Sequence, residues 1–435
     1  MADTTSHAGS MAGARAAPMI EAADPAPAPW RRWGVLGLLA LGVLIAYVDR
    51  ISISSALAVD SFNTHFELTD IDRGWVNAAF FWSFAAMQIP IGWIVDRYGV
   101  KWPYTICFGL WCAATAITGL IDTAFMLIFM RLLVGAAESV VMPASYRWIR
   151  NNFDESQNGT AAGILAMGNK FGPAIGAPVA TWLIVTYDWR FMFLLTGTLG
   201  ILWLIPWTLS VKSDLPKGDA ALDRKRAAST VSFGSIFASP LIWGTLIVNF
   251  AYSYFTYFCM TWMPSYLVEQ RGLSLQSSSL YTFFSFAGIA IVAVIAGWAA
   301  DRLIARGYDK LVVRKSFVIA GFLGACTVLL GANTGSLGLA LFWNVFSLSS
   351  LGLATANNLA LCRLTLIPAP AVGRVTSIQQ VAASLAGGAA ASISGLLLHL
   401  SGSYQLPMLV IFVFLLIGAA ATLLLLNPKW APRVE

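Results

Sequence analysis

The sequence predicts an all-α membrane protein, with twelve transmembrane helices in two pseudo-symmetric six-helix bundles. Three observations carry this prediction. Of 435 residues, 58% are hydrophobic and only 11% charged, with a mean hydropathy of +0.71, whereas a soluble domain carries roughly 25% charged residues. Apolar segments of the ~20 residues that a helix needs to cross a ~30 Å hydrocarbon core recur along nearly the whole chain. A short polar sequence recurs at equivalent places in the two halves. Runs of this kind exclude a membrane barrel, whose strands alternate polar and apolar residues.

Residues 1–30 are rich in Ala, Pro and small polar residues and end in Pro25-Ala-Pro-Ala-Pro29. They lack the apolar core of a secretory signal and are expected to form a disordered cytoplasmic tail. Twelve apolar segments follow, near 33–57, 74–95, 102–121, 124–146, 158–182, 190–210, 239–262, 277–299, 316–332, 336–360, 375–398 and 404–426. The longest polar stretch after the tail, 211–235, carries Lys212, Asp214, Lys217, Asp219, Asp223, Arg224, Lys225 and Arg226. Read as a cytoplasmic linker, it divides the chain into bundles at 31–210 and 236–427, with 428–435 as a cytoplasmic C-terminus.

Lysine and arginine set the orientation, because positive loops stay in the cytoplasm. With both ends inside, 21 of the 27 Lys and Arg residues are cytoplasmic. Arg73, Arg190 and Arg271 are external, and Arg50, Arg131 and Lys170 lie within segments. A missed or surplus helix early in the chain would scramble this asymmetry, so it supports the even count as well as the orientation.

The internal repeat pairs Gly92-Trp93-Ile-Val-Asp96-Arg97-Tyr-Gly99-Val-Lys101, after segment two, with Gly297-Trp298-Ala-Ala-Asp301-Arg302, after segment eight. Glycine permits close helix approach, and an Asp-Arg pair at a helix end can form salt bridges that differ between two conformations. Asp96, Arg97, Asp301 and Arg302 are therefore candidates for conformational gating. Two duplicated halves suit a transporter that exposes a midplane site alternately to each side.

The repeat resembles the loop motif of the major facilitator superfamily, Gly-x-x-x-Asp-Arg-x-Gly-x-Arg/Lys, and the similarity extends over all twelve segments. Three sequences carry a narrower resemblance to its anion:cation symporter branch, which includes sugar-acid, phthalate, tartrate and sialic-acid carriers. They are Tyr47-Val-Asp49-Arg50-Ile-Ser52, Arg131-Leu-Leu-Val-Gly135-Ala-Ala-Glu138 and Trp262-Met-Pro264-Ser-Tyr266-Leu267. The chain departs from the branch at Asn169-Lys170, where many relatives have neutral polar residues.

Five ionisable residues within segments give the strongest physical signal: Asp49, Arg50, Arg131, Glu138 and Lys170. Each costs about 2.5 to 3.5 kcal/mol at a helix centre, more than a purely structural role should require. Three positive and two negative charges leave +1, a pocket short of one anion. Arg131 and Glu138, seven residues apart, fall within about 20° on one helix face and about 10 Å along it. Counting along the helices places Asp49 and Arg131 at similar depths, which favours an ion pair between them. Arg50 points about 100° away, leaving its fork free for a carboxylate. Glu138 sits deeper, where removal from water disfavours a charge and suits a proton carrier.

On this reading Arg50 binds the substrate carboxylate, Glu138 and Asp49 load and release protons, and Arg131 alternates among them. The resemblance implies similar roles for the segment-one Asp-Arg and the segment-four Glu. Tyr47, Asn169 and Lys170 adjoin the same cavity, with Lys170 a candidate contact for a second carboxylate or for a polyhydroxy acid. The second half offers polar and aromatic groups: Asn249, Tyr252, Tyr257, Asn357, Asn358, Ser377, Gln379 and Gln380. These can hydrogen-bond hydroxyls or stack on a ring.

An ATP-driven pump would need a phosphate-cradling loop, and no Gly-x-x-x-x-Gly-Lys-Ser/Thr is present. His7, His65, His399 and the five cysteines show no metal-ligand spacing. The expectation is a monomeric secondary transporter of the bacterial inner membrane, without enzymatic activity, cofactor, metal or nucleic-acid partner. It would take up a small organic anion, such as a sugar acid, hydroxycarboxylate or aromatic carboxylate, with protons. With both Asp49 and Glu138 available, more than one proton per monoanion would make uptake electrogenic. The sequence leaves open sodium in place of protons, a proton-coupled exporter, and a non-transporting sensor of the same fold.

Overall fold

The computed structural model describes residues 29–212, 233–368 and 371–432. The tail expected at 1–30 and the linker at 211–235 fall mostly outside the described residues, as does the end of the C-terminus. Twelve long helical elements account for the apolar segments in order. The first six are α1 (Pro29–Leu57), α2 (Asp70–Tyr98), α3 (Lys101–Thr118), α4 (Ala124–Asn152), α5 (Glu155–Thr186) and α6 (Trp189–Ser210). The second six are α7 (Pro240–Thr261), α8 (Leu275–Ala305), α9 (Lys310–Asn333), α10 (Leu337–Leu359), α11 (Val372–Ser401) and α12 (Gln405–Leu424).

Several helices outrun the apolar stretches that announce them, α5 most clearly, because backbone hydrogen bonding continues where hydrocarbon ends. The ends are fixed by polar side chains at the water boundary. Thr69 and Asp72 form a reciprocal capping box at the start of α2, Asp188 caps α6 and Asp309 caps α9. Among the described residues, nine helices are long and apolar enough to cross a membrane. The other three are α3, which opens on Lys101-Trp-Pro-Tyr-Thr105, and α5 and α7, which carry Asn169, Lys170, Asn249, Tyr252 and Tyr257.

Helix packing repeats with a period of six. In the first half α1 packs on α5, α2 on α4, and α3 on both α4 and α6; in the second, α7 packs on α11, α8 on α10, and α9 on both α10 and α12. The halves meet through α2 against α11 and α5 against α8, which exchange under the same shift. Small residues set these approaches. Gly168, Gly172 and Gly176 lie one turn apart on α5, and a Cβ on them would stand 2.7 Å from Ala40 O, 2.4 Å from Tyr47 Cβ and 2.7 Å from Ile51 Cγ2. That contact draws α1 against α5 and brings Tyr47 beside Asn169. Gly135 of α4 and Gly352 of α10 do the same for α2 and α8: an added Cβ would lie 2.2 Å from Phe80 O or 2.7 Å from Ile289 O.

Candidate transport site

Four of the five intramembrane charges converge. Asp49 and Arg50 from α1 and Arg131 and Glu138 from α4 are all buried, with Glu138 at 0% exposure and Arg50 at 5%. Arg50 Nε donates to Glu138 Oε2 at 2.8 Å. This corrects the sequence reading in two respects. The Arg50 guanidinium is engaged by an internal carboxylate, and among the described residues no ion pair joins Asp49 to Arg131; Asp49 lies instead beside the Trp111 indole. Rotation along single helices cannot show which side chains meet between helices, and the approach of α1, α2 and α4 settles it.

Aromatic rings wall the pair. The Arg50 guanidinium lies 4.4, 4.7 and 4.8 Å from the ring centres of Tyr47, Phe80 and Phe84, and Arg131 lies 4.9 Å from Phe80. Phe80 thus serves two cations, whose positive charge its π-faces attract. Nε of Arg131 and Oε1 of Glu138 find no hydrogen-bond partner among the described residues. The arrangement can exchange one carboxylate for another at a guanidinium and hold a proton on the one displaced.

Lys170 and its neighbours extend the site toward the second half. Lys170 Nζ donates to Tyr252 Oη at 3.0 Å, and Tyr252 Oη lies 2.8 Å from Thr355 Oγ1, linking α5, α7 and α10. Asn169 Nδ2 donates to Tyr47 Oη at 2.9 Å. The Tyr257 ring meets Phe81 of α2 edge-on, with centroids 4.6 Å apart. Other second-half candidates are committed to packing: Asn249 Nδ2 donates to Gln379 O at 2.6 Å, and Asn358 Oδ1 accepts from Cys362 Sγ on its own helix. Gln379 is buried and Gln380 half-buried.

The repeated Asp-Arg motif divides its labour. Asp96 pairs with Arg147 of α4 at 2.7 Å, and Asp301 with Arg314 of α9 at 2.9 Å. Arg97 and Arg302 instead lie over the motif's own tryptophans, Trp93 and Trp298, at 5.7 and 5.3 Å.

A contact between the halves, at the end opposite the Asp-Arg motifs, is absent from the sequence reading. Arg73 of α2, counted only as an external positive charge, is buried, and it reaches from one half to the other. Its guanidinium donates to Leu57 O, Ser265 Oγ and Glu269 Oε1 at 3.0, 2.8 and 2.5 Å, and pairs with Asp70 at 3.1 Å. Tyr404 Oη donates to the second Glu269 oxygen at 2.8 Å. Beside them Gly74 of α2 and Gly395 of α11 meet backbone to backbone, an added Cβ on Gly395 falling 2.6 Å from Asp70 O. The available signal was that Arg73 stands against the prevailing charge asymmetry.

These features define a membrane transporter of two repeated halves around a buried ionic site. The chain matches the model of the Major Facilitator Superfamily over residues 39–365 and belongs to that family; it is a transporter rather than an enzyme. It is 28% identical over 324 residues to the D-galactonate transporter of Escherichia coli O6:H1, covering 70% of this chain and 74% of that protein. It is 29% identical over 335 residues to the probable galactarate/D-glucarate transporter GudP of Bacillus subtilis, covering 70% and 72%. Its fold is similar to that of a bacterial homologue of the human lysosomal transporter Spinster in an inward-facing, occupied conformation, with a TM-score of 0.74, 19% identity and coverage of 91% and 97%.

Proposed function

We propose that this protein takes up a small organic anion, of the sugar-acid, hydroxycarboxylate or aromatic carboxylate class, together with protons, by alternating access. The observation that carries the reading is the ion pair of Arg50 and Glu138, sealed from water at 2.8 Å. A buried pair of this kind stabilises little, and removing one partner strands the other. A proton delivered to Glu138 therefore frees Arg50, and the natural replacement is the carboxylate of a substrate. Arg131, with Nε unpartnered in the same chamber, holds whichever acid is ionised, and Asp49 accepts the second proton. The sugar-acid cargo in the relatives' names supports this class.

In the proposed cycle, the Arg73–Glu269 contact keeps the site shut from outside and opens for loading. Asp96, Arg97, Asp301 and Arg302 steady the cytoplasmic ends, where the halves part for release. The two six-helix halves move as bodies; the charge asymmetry supports cytoplasmic termini, and the bacterial relatives support the bacterial plasma membrane.

Reconstituted vesicles test the coupling. Glu138→Gln should abolish accumulation driven by a proton gradient while leaving exchange of substrate across the membrane. Full gradient-driven accumulation in that variant refutes the role given to Glu138.

A further inference from the structure

The cluster holds three cations and two acids, four of them buried and Lys170 half-buried, and the fold decides where the surplus charge sits. Arg50 is bonded to Glu138, while Asp49 and Arg131 occupy one chamber and act on each other. Lys170 keeps neutral company: the Tyr252 hydroxyl accepts one hydrogen, and the Tyr252 ring lies 5.4 Å from Nζ. A hydroxyl satisfies one of the three ammonium donors and cancels none of the charge.

We propose that Lys170 receives a second acidic group, so that the protein selects small organic dianions, acidic at both ends of a short skeleton, over the matching monoanions. This rests on the reading of Arg50 and Glu138 as the coupled carboxylate site. The two sites stand on either side of Tyr47. Its ring covers the Arg50 guanidinium at 4.4 Å, its hydroxyl accepts from Asn169, the residue before Lys170, and both cations act on it electrostatically.

Charge arithmetic gives the selectivity. With Glu138 protonated and Asp49 still ionised, Arg50, Arg131 and Lys170 face Asp49 alone, three positive charges against one negative, a formal +2. A dianion cancels this, whereas a monoanion leaves one cation uncompensated at a half-buried position, where charge interactions are stronger than in bulk water. An acidic group at Lys170 also reaches Tyr252 and, through it, Thr355, so the dianion touches both halves at once.

The test is equilibrium binding to the purified full-length protein, using the pairs glucarate and gluconate, succinate and butyrate, and phthalate and benzoate. In the pair that binds best, the dianion should lead by about tenfold or more. Lys170→Gln should remove that lead, and Lys170→Arg should retain it. A monoanion bound as tightly as its dianion by the unaltered protein overturns the proposal, whatever the variants do. So does a dianion lead that survives in Lys170→Gln. Dianion binding without proton-driven accumulation would overturn the coupling reading and support this one.

Discussion

The two halves share a packing diagram and differ in what they enclose. Each fourth helix packs a glycine on its second, Gly135 on Phe80 and Gly352 on Ile289. Each motif aspartate finds an arginine within its own half, at 2.7 and 2.9 Å. Yet all five intramembrane charges lie in the first half, while the second presents Tyr252, Tyr257, Thr355 and amides. Symmetry belongs to the scaffold, since a rocking mechanism needs two bodies with matching surfaces. Chemistry belongs to one side, since a cation surplus in both halves would double the desolvation cost. Among the described contacts, the second half reaches the site where Tyr252 meets Lys170 and where Tyr257 meets Phe81.

The comparison breaks most sharply at the ion pair. Arg50→Met should cost about 3 to 5 kcal/mol, because Glu138 is left buried and unmatched. Arg50→Met with Glu138→Leu should recover most of that stability and none of the transport, measured by denaturation midpoint and vesicle uptake. In the neutral half, Asn358→Leu should cost only about 1 kcal/mol, since it loses a single weak bond from Cys362. Equal losses at Arg50 and Asn358 would mean that the charge asymmetry has no energetic weight.

A smaller effect sharpens the symmetry. Gly135→Ala and Gly352→Ala should each destabilise by about 1 to 3 kcal/mol through overpacking, with Gly135 worse because its added carbon meets backbone more closely. Only Gly135→Ala should also abolish proton-driven uptake, because it pushes Phe80 away from Arg50 and Arg131. A larger thermal shift at Gly135 than at Gly352, with uptake lost only at Gly135, is the expected signature. The smallest effect belongs to the motif: Asp96→Asn and Asp301→Asn should each cost at most about 1 kcal/mol of stability, as both aspartates are largely exposed. A transport defect much greater than that loss would mark a gating role.

Much of the site could be read from the sequence because hydrocarbon penalises charge. Asp49, Arg50, Arg131, Glu138 and Lys170 stand out in apolar surroundings, whatever fold surrounds them. Partner choice could not be read. The helical turn from Asp49 to Arg50 pointed to Asp49 and Arg131 as the pair, but Gly135 sets the approach of α2 to α4 and Glu138 takes Arg50. Phe80 and Phe84 were invisible because phenylalanine in a membrane helix is ordinarily lipid-facing bulk. Arg73 and Glu269 lie 196 residues apart, and no local pattern joins them.

Composition and the spacing of apolar runs determined the all-helical fold, the number of spans and the repeat, because the bilayer imposes one length and one polarity on every crossing segment. Tertiary structure alone decided which acid holds Arg50 and how Arg73 joins the two halves. These depend on distances between helices, which glycine and small side chains set to within an ångström and which no single segment encodes.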